Sequence, residues 1–201
     1  MLAGIYRGPM TRLRSLDRAD LSLEQAELWD RIVETRGGGV DLFDADGGLV
    51  GPFNAFVHSP KVGKRLTSLG GLLRFRISIE RRLSEVAICT VGAHWHSEFE
   101  FWAHAAMALE HGVDPLVIDA LRNDRPPEFA RSDERIVHAV TSQLLNERRV
   151  DPATFAEGEA LLGETGIVEL AALVGYYCLI SMMLNLFEVP LAPGESPVWP
   201  D

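Results

Sequence analysis

The sequence predicts an all-α protein folded as a single domain, and three observations carry that prediction. Apolar residues recur at spacings of three and four along most of the chain, while no stretch alternates apolar and polar residues as a half-buried strand does. Capping residues, prolines and glycines cut the chain into segments of helical length. At 201 residues, 47% of them hydrophobic and 24% charged, the chain has the length and composition of one globular core.

Residues 1–20 carry Arg7, Arg12, Arg14 and Arg18 with few periodic apolars and read as an arm that wraps the domain or a neighbouring subunit. A helical domain is expected over 21–189 and a proline-rich tail over 190–201. Ser22 and Gln25 form a capping-box start for a first helix, whose apolar face is Leu23, Ala26, Trp29, Ile32 and Val33 and which the glycines at 37–39 stop. The loop holding Asp41, Asp44 and Asp46 lacks the twelve-residue spacing ending in glutamate that a calcium loop needs, and reads as solvated. Gly51 and Pro52 launch a short helical turn that ends at His58, and Pro60 opens the next helix with Val62, Leu66, Leu69 and Leu73 inward. Gly70 and Gly71 either weaken that helix or let another backbone approach it.

A further helix is expected over 79–93 on the face of Ile79, Leu83, Val86, Ala87 and Val91. Asp114–Pro115 caps a short helix ending near Asn123, and Arg125, Pro126 and Pro127 form a linker. Ser132 starts a helix running to Leu145, Asp151–Pro152 opens another that Gly163 closes, and 165–187 is the last and most apolar helix. Pro190, Pro193, Pro197 and Pro200 then forbid more helix.

The net charge of −10 and the absence of any basic run or glycine-rich phosphate loop exclude a nucleic-acid surface. An anionic substrate would meet a repelling field, so a local cluster such as Arg74, Arg76, Arg81 and Arg82 would have to bind it; the same arginines also read as a solvated helix face. Cys89 and Cys178 stand singly in apolar runs and form neither a redox pair nor a zinc spacing. The start of the chain lacks the apolar core of a signal peptide, so a cytoplasmic protein is expected. The uncharged stretch 170–187 reaches the lower edge of transmembrane length but has no basic anchors, and is read as a core or subunit-interface helix rather than a membrane span.

The chemistry concentrates in residues 84–112, where Glu85, His94, His96, Ser97, Glu98, Glu100 and His104 lie within an otherwise apolar, helix-prone segment. No glycine or proline interrupts 95–111, and helical geometry sets Ser97, Glu100 and His104 on one stripe. Buried ionisable groups of this kind need partners or shifted pKa values.

These residues resemble the carboxymuconolactone decarboxylase family, which also contains the alkyl hydroperoxidase D-type (AhpD-like) peroxidases. The resemblance takes in Glu85, the run SEFEFWAH at 97–104, Gly112, GPFNAFVHSP at 51–60 and the last apolar helix. It implies an AhpD-like helical bundle, assembly into trimers or hexamers, a site near subunit boundaries, and His58 near the pocket; His58, Trp95 and His96 are the expected substrate-binding residues. The peroxidase members carry a CxxC pair where this chain has Ser97 and Glu100, between the matching Glu85 and His104. A hydroxyl neither reduces a peroxide nor forms a disulfide, so the cysteine-free pattern is closer to the decarboxylase branch. That reaction on a small unsaturated lactone acid needs no cofactor, only a donor to the carbonyl that receives the electrons and an acid that protonates carbon. Glu85, Ser97, Glu100 and His104 are the expected catalytic set, with Glu85 orienting the imidazole, and no metal or cofactor is expected. His96, Glu100 and His104 at spacings of four suggest a metal, but the outer two lie about 12 Å apart along a helix, too far to share one ion. A peroxidase by family label, a buried structural network of satisfied polar groups, and a metal-binding or non-catalytic oligomeric ligand-binding module are the other readings.

Overall fold

The computed structural model describes residues 11–36, 42–44, 47–192 and 194–199. After a short 3₁₀ turn at Arg18–Asp20 come eight helices: α1 (Leu23–Arg36), α2 (Phe53–His58), α3 (Pro60–Phe75), α4 (Arg81–His94), α5 (Glu98–Glu110), α6 (Pro115–Arg122), α7 (Ser132–Asn146) and α8 (Pro152–Leu186). The extended pairing among the described residues is a lone bridge between Phe43 and Leu49, so the protein is all-α. The glycine run at 37–39, Asp41, Asp46, the first half of the arm, Pro193 and Pro200 lie outside the described residues.

The chain divides into two compact units, one made of the residues up to 67 with Met183–Ser196, the other of Ser68–Met182 with Pro197–Asp201. Two of the three divisions fall inside helices, α3 and α8, and the third falls in the tail after α8. In the first unit α1 buries Ala26, Leu28, Trp29 and Ile32 on one side. Its start is the expected capping box, with the Ser22 N–H donating to Gln25 Oε1 at 3.1 Å and the Gln25 N–H to Ser22 Oγ at 3.4 Å. The described part of the arm is tied to its own chain, through Arg12 N–H and Thr11 Oγ donating to the Phe187 carbonyl at 2.8 and 2.9 Å. Asp44 closes a turn by accepting from the Gly48 N–H and from Ser15 Oγ.

The second unit is built on α4, which packs against α5, α6 and α7 and is buried from Arg82 to Gly92. Leu83, Ile88 and Val91 from α4 meet Val137 and Val140 from α7 and Leu170, Leu173, Val174 and Tyr177 from α8 in one apolar cluster. Each such side chain contributes about 1.5–3 kcal/mol of burial. A second cluster joins Val86, Cys89, Phe101, Ala108, Val117 and Val198.

Helix α8 is long and apolar enough to cross a membrane by length and composition, and its inward face packs in the core as predicted for a core helix. Its helical geometry breaks at Gly163 (φ 68°, ψ 173°), the position expected to separate two helices and a conformation only glycine adopts freely. The outward face leaves Val168 69% and Met182 46% exposed. Helix α3 runs unbroken through Gly70 and Gly71. The close approach expected at this pair comes from a side chain, because a Cβ on Gly70 would lie 2.2 Å from the Tyr176 hydroxyl. The tail also departs from a free extension. The Glu98 carboxylate at the start of α5 accepts from the Val198 and Trp199 N–H groups at 2.8 and 3.0 Å, and the Trp199 indole donates to the Arg122 carbonyl at 2.7 Å.

Candidate active site

The central helix starts later than its sequence suggests. At the end of α4 the Ser97 N–H donates to the Gly92 carbonyl and the His96 N–H to the Ala93 carbonyl, with His96 at φ 44°. This is a Schellman ending with histidine where glycine is usual. Ser97 becomes the N-cap of α5, and Trp95 and His96 belong to the junction rather than the helix. The spacing of four from His96 to Glu100 therefore has no helical meaning. The exposed His96 ring stacks on Trp199 at 4.9 Å and 11°, pointing to the tail.

Glu100 and His104 do share the buried face of α5, one turn apart, and that face lies against α4. Glu85, in the middle of α4 and fully buried, meets the imidazole across this contact. Its Oε2 is 2.6 Å from His104 Nδ1, while Glu100 Oε1 is 3.1 Å from His104 Nε2. Both ring nitrogens face carboxylate oxygens, an arrangement that a doubly protonated imidazolium satisfies by donating on both sides. Burial opposes the charge, but the Glu85 carboxylate and the hydrogen bonds to Glu100 and Glu85 outweigh it, holding the His104 pKa up to about 9. Burial likewise works to raise Glu85, and the imidazolium and Arg81 prevail to keep it below the usual carboxylate range. Tyr177 of α8 closes one wall, its ring edge-on to His104 at 5.0 Å, its phenol pushed well up by burial and by the Glu100 charge.

Two arginines that sequence reading left between an anion site and a solvated face belong to this site. Arg81 Nη2 pairs with Glu85 Oε1 at 2.6 Å, and Arg81 Nη1 donates to the Arg74 carbonyl at 2.7 Å. Arg74 Nη2 lies 3.2 Å from Met107 Sδ on α5. Arg82, the next residue along α4, points elsewhere: it is 4% exposed and bound by Glu134 and Asp133 of α7, each at 2.6 Å. The solvated-face reading fails for Arg82 because the α4–α7 contact buries it.

Ser97, Trp95 and His58 are the remaining expected site residues. Ser97 is fully buried, and its hydroxyl has no hydrogen-bond partner among the described residues, Glu100 and His104 included. Trp95 packs against the main apolar cluster beside Cys178. His58 lies in the first unit, where Nε2 is 3.0 Å from the Arg14 carbonyl. Cys89 is sealed one turn after Glu85, its thiol pushed well up by burial and by the Glu85 and Glu100 charges. That setting disfavours the thiolate on which sulfur chemistry depends. Among the described residues no group of three histidine, cysteine or acidic side chains has metal-holding geometry, and both His104 nitrogens are already taken by carboxylates.

No protein-family model matches the sequence, and no curated protein does. Solved structures do. A peroxidase-related protein with an alkylhydroperoxidase AhpD core from Ralstonia eutropha JMP134 superposes with a TM-score of 0.72 over 92% of this chain and 94% of its own, at 15% identity. A peroxidase-related protein from Silicibacter sp. TM1040 gives 0.69 over 94% and 95%, at 14% identity. The debrominase Bmp8, as a cysteine-to-alanine variant in complex with 2,3,4-tribromopyrrole, gives 0.67 over 94% of each chain at 13% identity. At such identities the likeness is one of architecture. The chain has the AhpD-like helical fold.

Proposed function

We propose that this protein is a cofactor-independent acid–base enzyme acting on a small unsaturated lactone or carboxylic acid, with decarboxylation as its reaction, as in the carboxymuconolactone decarboxylase branch. The observation that carries this reading is the imidazole held at both nitrogens, by Glu85 at 2.6 Å and Glu100 at 3.1 Å. Glu85 fixes the ring and its charge, leaving the Nε2–Glu100 pair to share a mobile proton. When the carbon–carboxyl bond breaks, its electron pair delocalises into the conjugated carbonyl. A proton then passes from the His104–Glu100 pair to carbon as carbon dioxide leaves, and a later proton from solvent resets the pair. The Ser97 hydroxyl, buried without a partner, is suited to donate to the carbonyl oxygen.

The AhpD-like neighbours called peroxidase-related raise a redox alternative. The sealed Cys89 and the serine and glutamate at 97 and 100 weigh against a dithiol cycle. The test is a screen of lactones, β-keto acids and peroxides, followed by Glu100→Gln and His104→Ala assayed well below each variant's melting temperature. Each should lower turnover at least about a hundredfold, the scale of lost acid–base catalysis. Wild-type rates in both variants would return the three residues to a purely structural role.

A homo-oligomer, trimer or hexamer, is part of the same proposal. It is supported by the apolar residues Val168 and Met182 that α8 turns outward. Light scattering of the dilute protein should give a mass of several chains, and a monomer would remove this part.

A further inference from the structure

Arg74 and Arg81 form a guanidinium pair for which the relay chemistry gives only half an explanation. Arg81 is engaged by the Glu85 carboxylate and the Arg74 carbonyl. Arg74 meets no carboxylate among the described ion pairs. Its Nη2 contacts the Met107 thioether at 3.2 Å, a weak acceptor, and its Nε is buried without a hydrogen-bond partner. Arg81 Nη2 approaches the same sulfur at 3.7 Å, and both guanidinium groups lie over the ring of Phe75, at 5.1 and 5.7 Å from its centroid. Phe75 is 63% exposed whereas Glu85, Glu100 and His104 are buried, so the pair stands between the surface and the relay.

The charges here are unequal. With His104 protonated, Arg81 and His104 are matched by the two carboxylates Glu85 and Glu100, and Arg74 adds a third cation with no ion pair of its own among the described residues, in a chain that is otherwise strongly acidic. With its Nε buried and unpartnered and its Nη2 facing a thioether, this guanidinium loses much of the hydrogen bonding it has in water, and a planar carboxylate restores that bonding through the fork.

We propose that Arg74 is the residue that binds a carboxylate of the substrate, with Arg81 as the positioning residue that ties this anion site to Glu85. The inference rests on the acid–base reading of the relay and adds to it the charge of the substrate and the residue that selects it. The carboxylate so held is one that keeps its charge through the reaction, because clamping a leaving carboxylate would stabilise the ground state and slow its loss. Arg74 therefore discriminates a substrate bearing a retained carboxylate from its amide or ester. Phe75 supplies an apolar lip over which the anion reaches the fork.

The test measures binding without turnover. Acetate, fumarate, sorbate and benzoate are compared with their amides by ligand-observed NMR and thermal shift on wild type, Arg74→Met, Arg74→Lys and Glu100→Gln. In the wild type at least one carboxylate should bind about tenfold or more tightly than its amide, a preference on the scale of a charge-assisted fork. Arg74→Met should abolish that preference, and Arg74→Lys should retain part of it, which also guards against an Arg74→Met variant that fails to fold. Glu100→Gln should keep the preference, so a failure of the acid–base reading and a failure of this one are separable. Equal binding of acids and amides by the wild type, or an undiminished preference in folded Arg74→Met or Arg74→Lys, overturns the proposal.

Discussion

Replacing Arg82 by alanine is expected to lower stability by about 3–5 kcal/mol, the scale for breaking a buried ion pair by removing one partner. Arg82 is 4% exposed and Glu134 is 3% exposed, so neither has water to turn to when the other is lost. The arginine joins the first turn of α4 to the first turn of α7, at 2.6 Å from both Asp133 and Glu134, with Glu80 at 3.3 Å. The two acids also suit the positive end of α7, whereas the cation sits at the wrong end of α4, so the partners rather than the helix hold it there. Urea unfolding should show a lower midpoint with an unchanged slope, since the surface exposed on unfolding is the same. An Arg82→Met, Asp133→Asn, Glu134→Leu triple variant should regain much of the loss, because apolar packing often replaces a buried pair at little cost. A deficit below about 1 kcal/mol in Arg82→Ala would mean that the cluster behaves as a surface pair.

Arg82 also shows where sequence reading reaches its limit. The helical pattern located the α4 helix and its apolar face, and spacing alone put Glu100 beside His104. Arg81 and Arg82 are neighbours in sequence but about 100° apart around the helix, so one serves Glu85 and the other α7. Choosing between them requires knowing which helix lies on which side of α4, and no single-chain periodicity contains that. The Glu85–His104 contact has the same character, being a pairing between helices that only the family resemblance anticipated. His96 misled for a local reason: a helix ending in a Schellman turn usually announces itself with glycine, and here histidine takes the left-handed position. Tyr177 lies in the stretch read as a core or subunit-interface helix, and its edge-on contact with the imidazole was not legible. The signal that was available for Arg81 is its spacing of four before Glu85, the interval at which opposite charges meet on a helix.

The second large effect is expected at Glu85. Glu85→Gln removes the charge that faces both Arg81 and the His104 imidazolium at 2.6 Å, in a position fully shielded from water, and should also cost about 3–5 kcal/mol near pH 6. Its pH dependence separates this from ordinary loss of packing. His104 has its pKa raised to about 9 in the folded protein, so its stabilising contribution is fully present below its ordinary value and is lost as pH rises through about 9. Glu85 is held below its ordinary value, so its contribution is present above that value and is lost as pH falls through the lowered one, on the acid side. His138, pushed down to about 4 by burial, weakens the fold as pH falls from its ordinary value and acts on the acid side alone. His104 alone carries the alkaline limb up to about pH 8, and its part spans on the order of 3 kcal/mol between about pH 6.5 and 9; above about pH 8 the raised Cys89 and Cys178 thiols add a fall of their own in both proteins. The wild-type melting temperature should fall across that interval, and in Glu85→Gln the fall should shrink to a fraction, since the imidazole keeps only Glu100. Thermal melts of both proteins at half-unit steps from pH 5.5 to 9.5 decide it. Curves that fall in parallel would show that Glu85 does not hold the proton on the imidazole, and curves that stay flat up to about pH 8 would show that the buried imidazole is neutral in the fold.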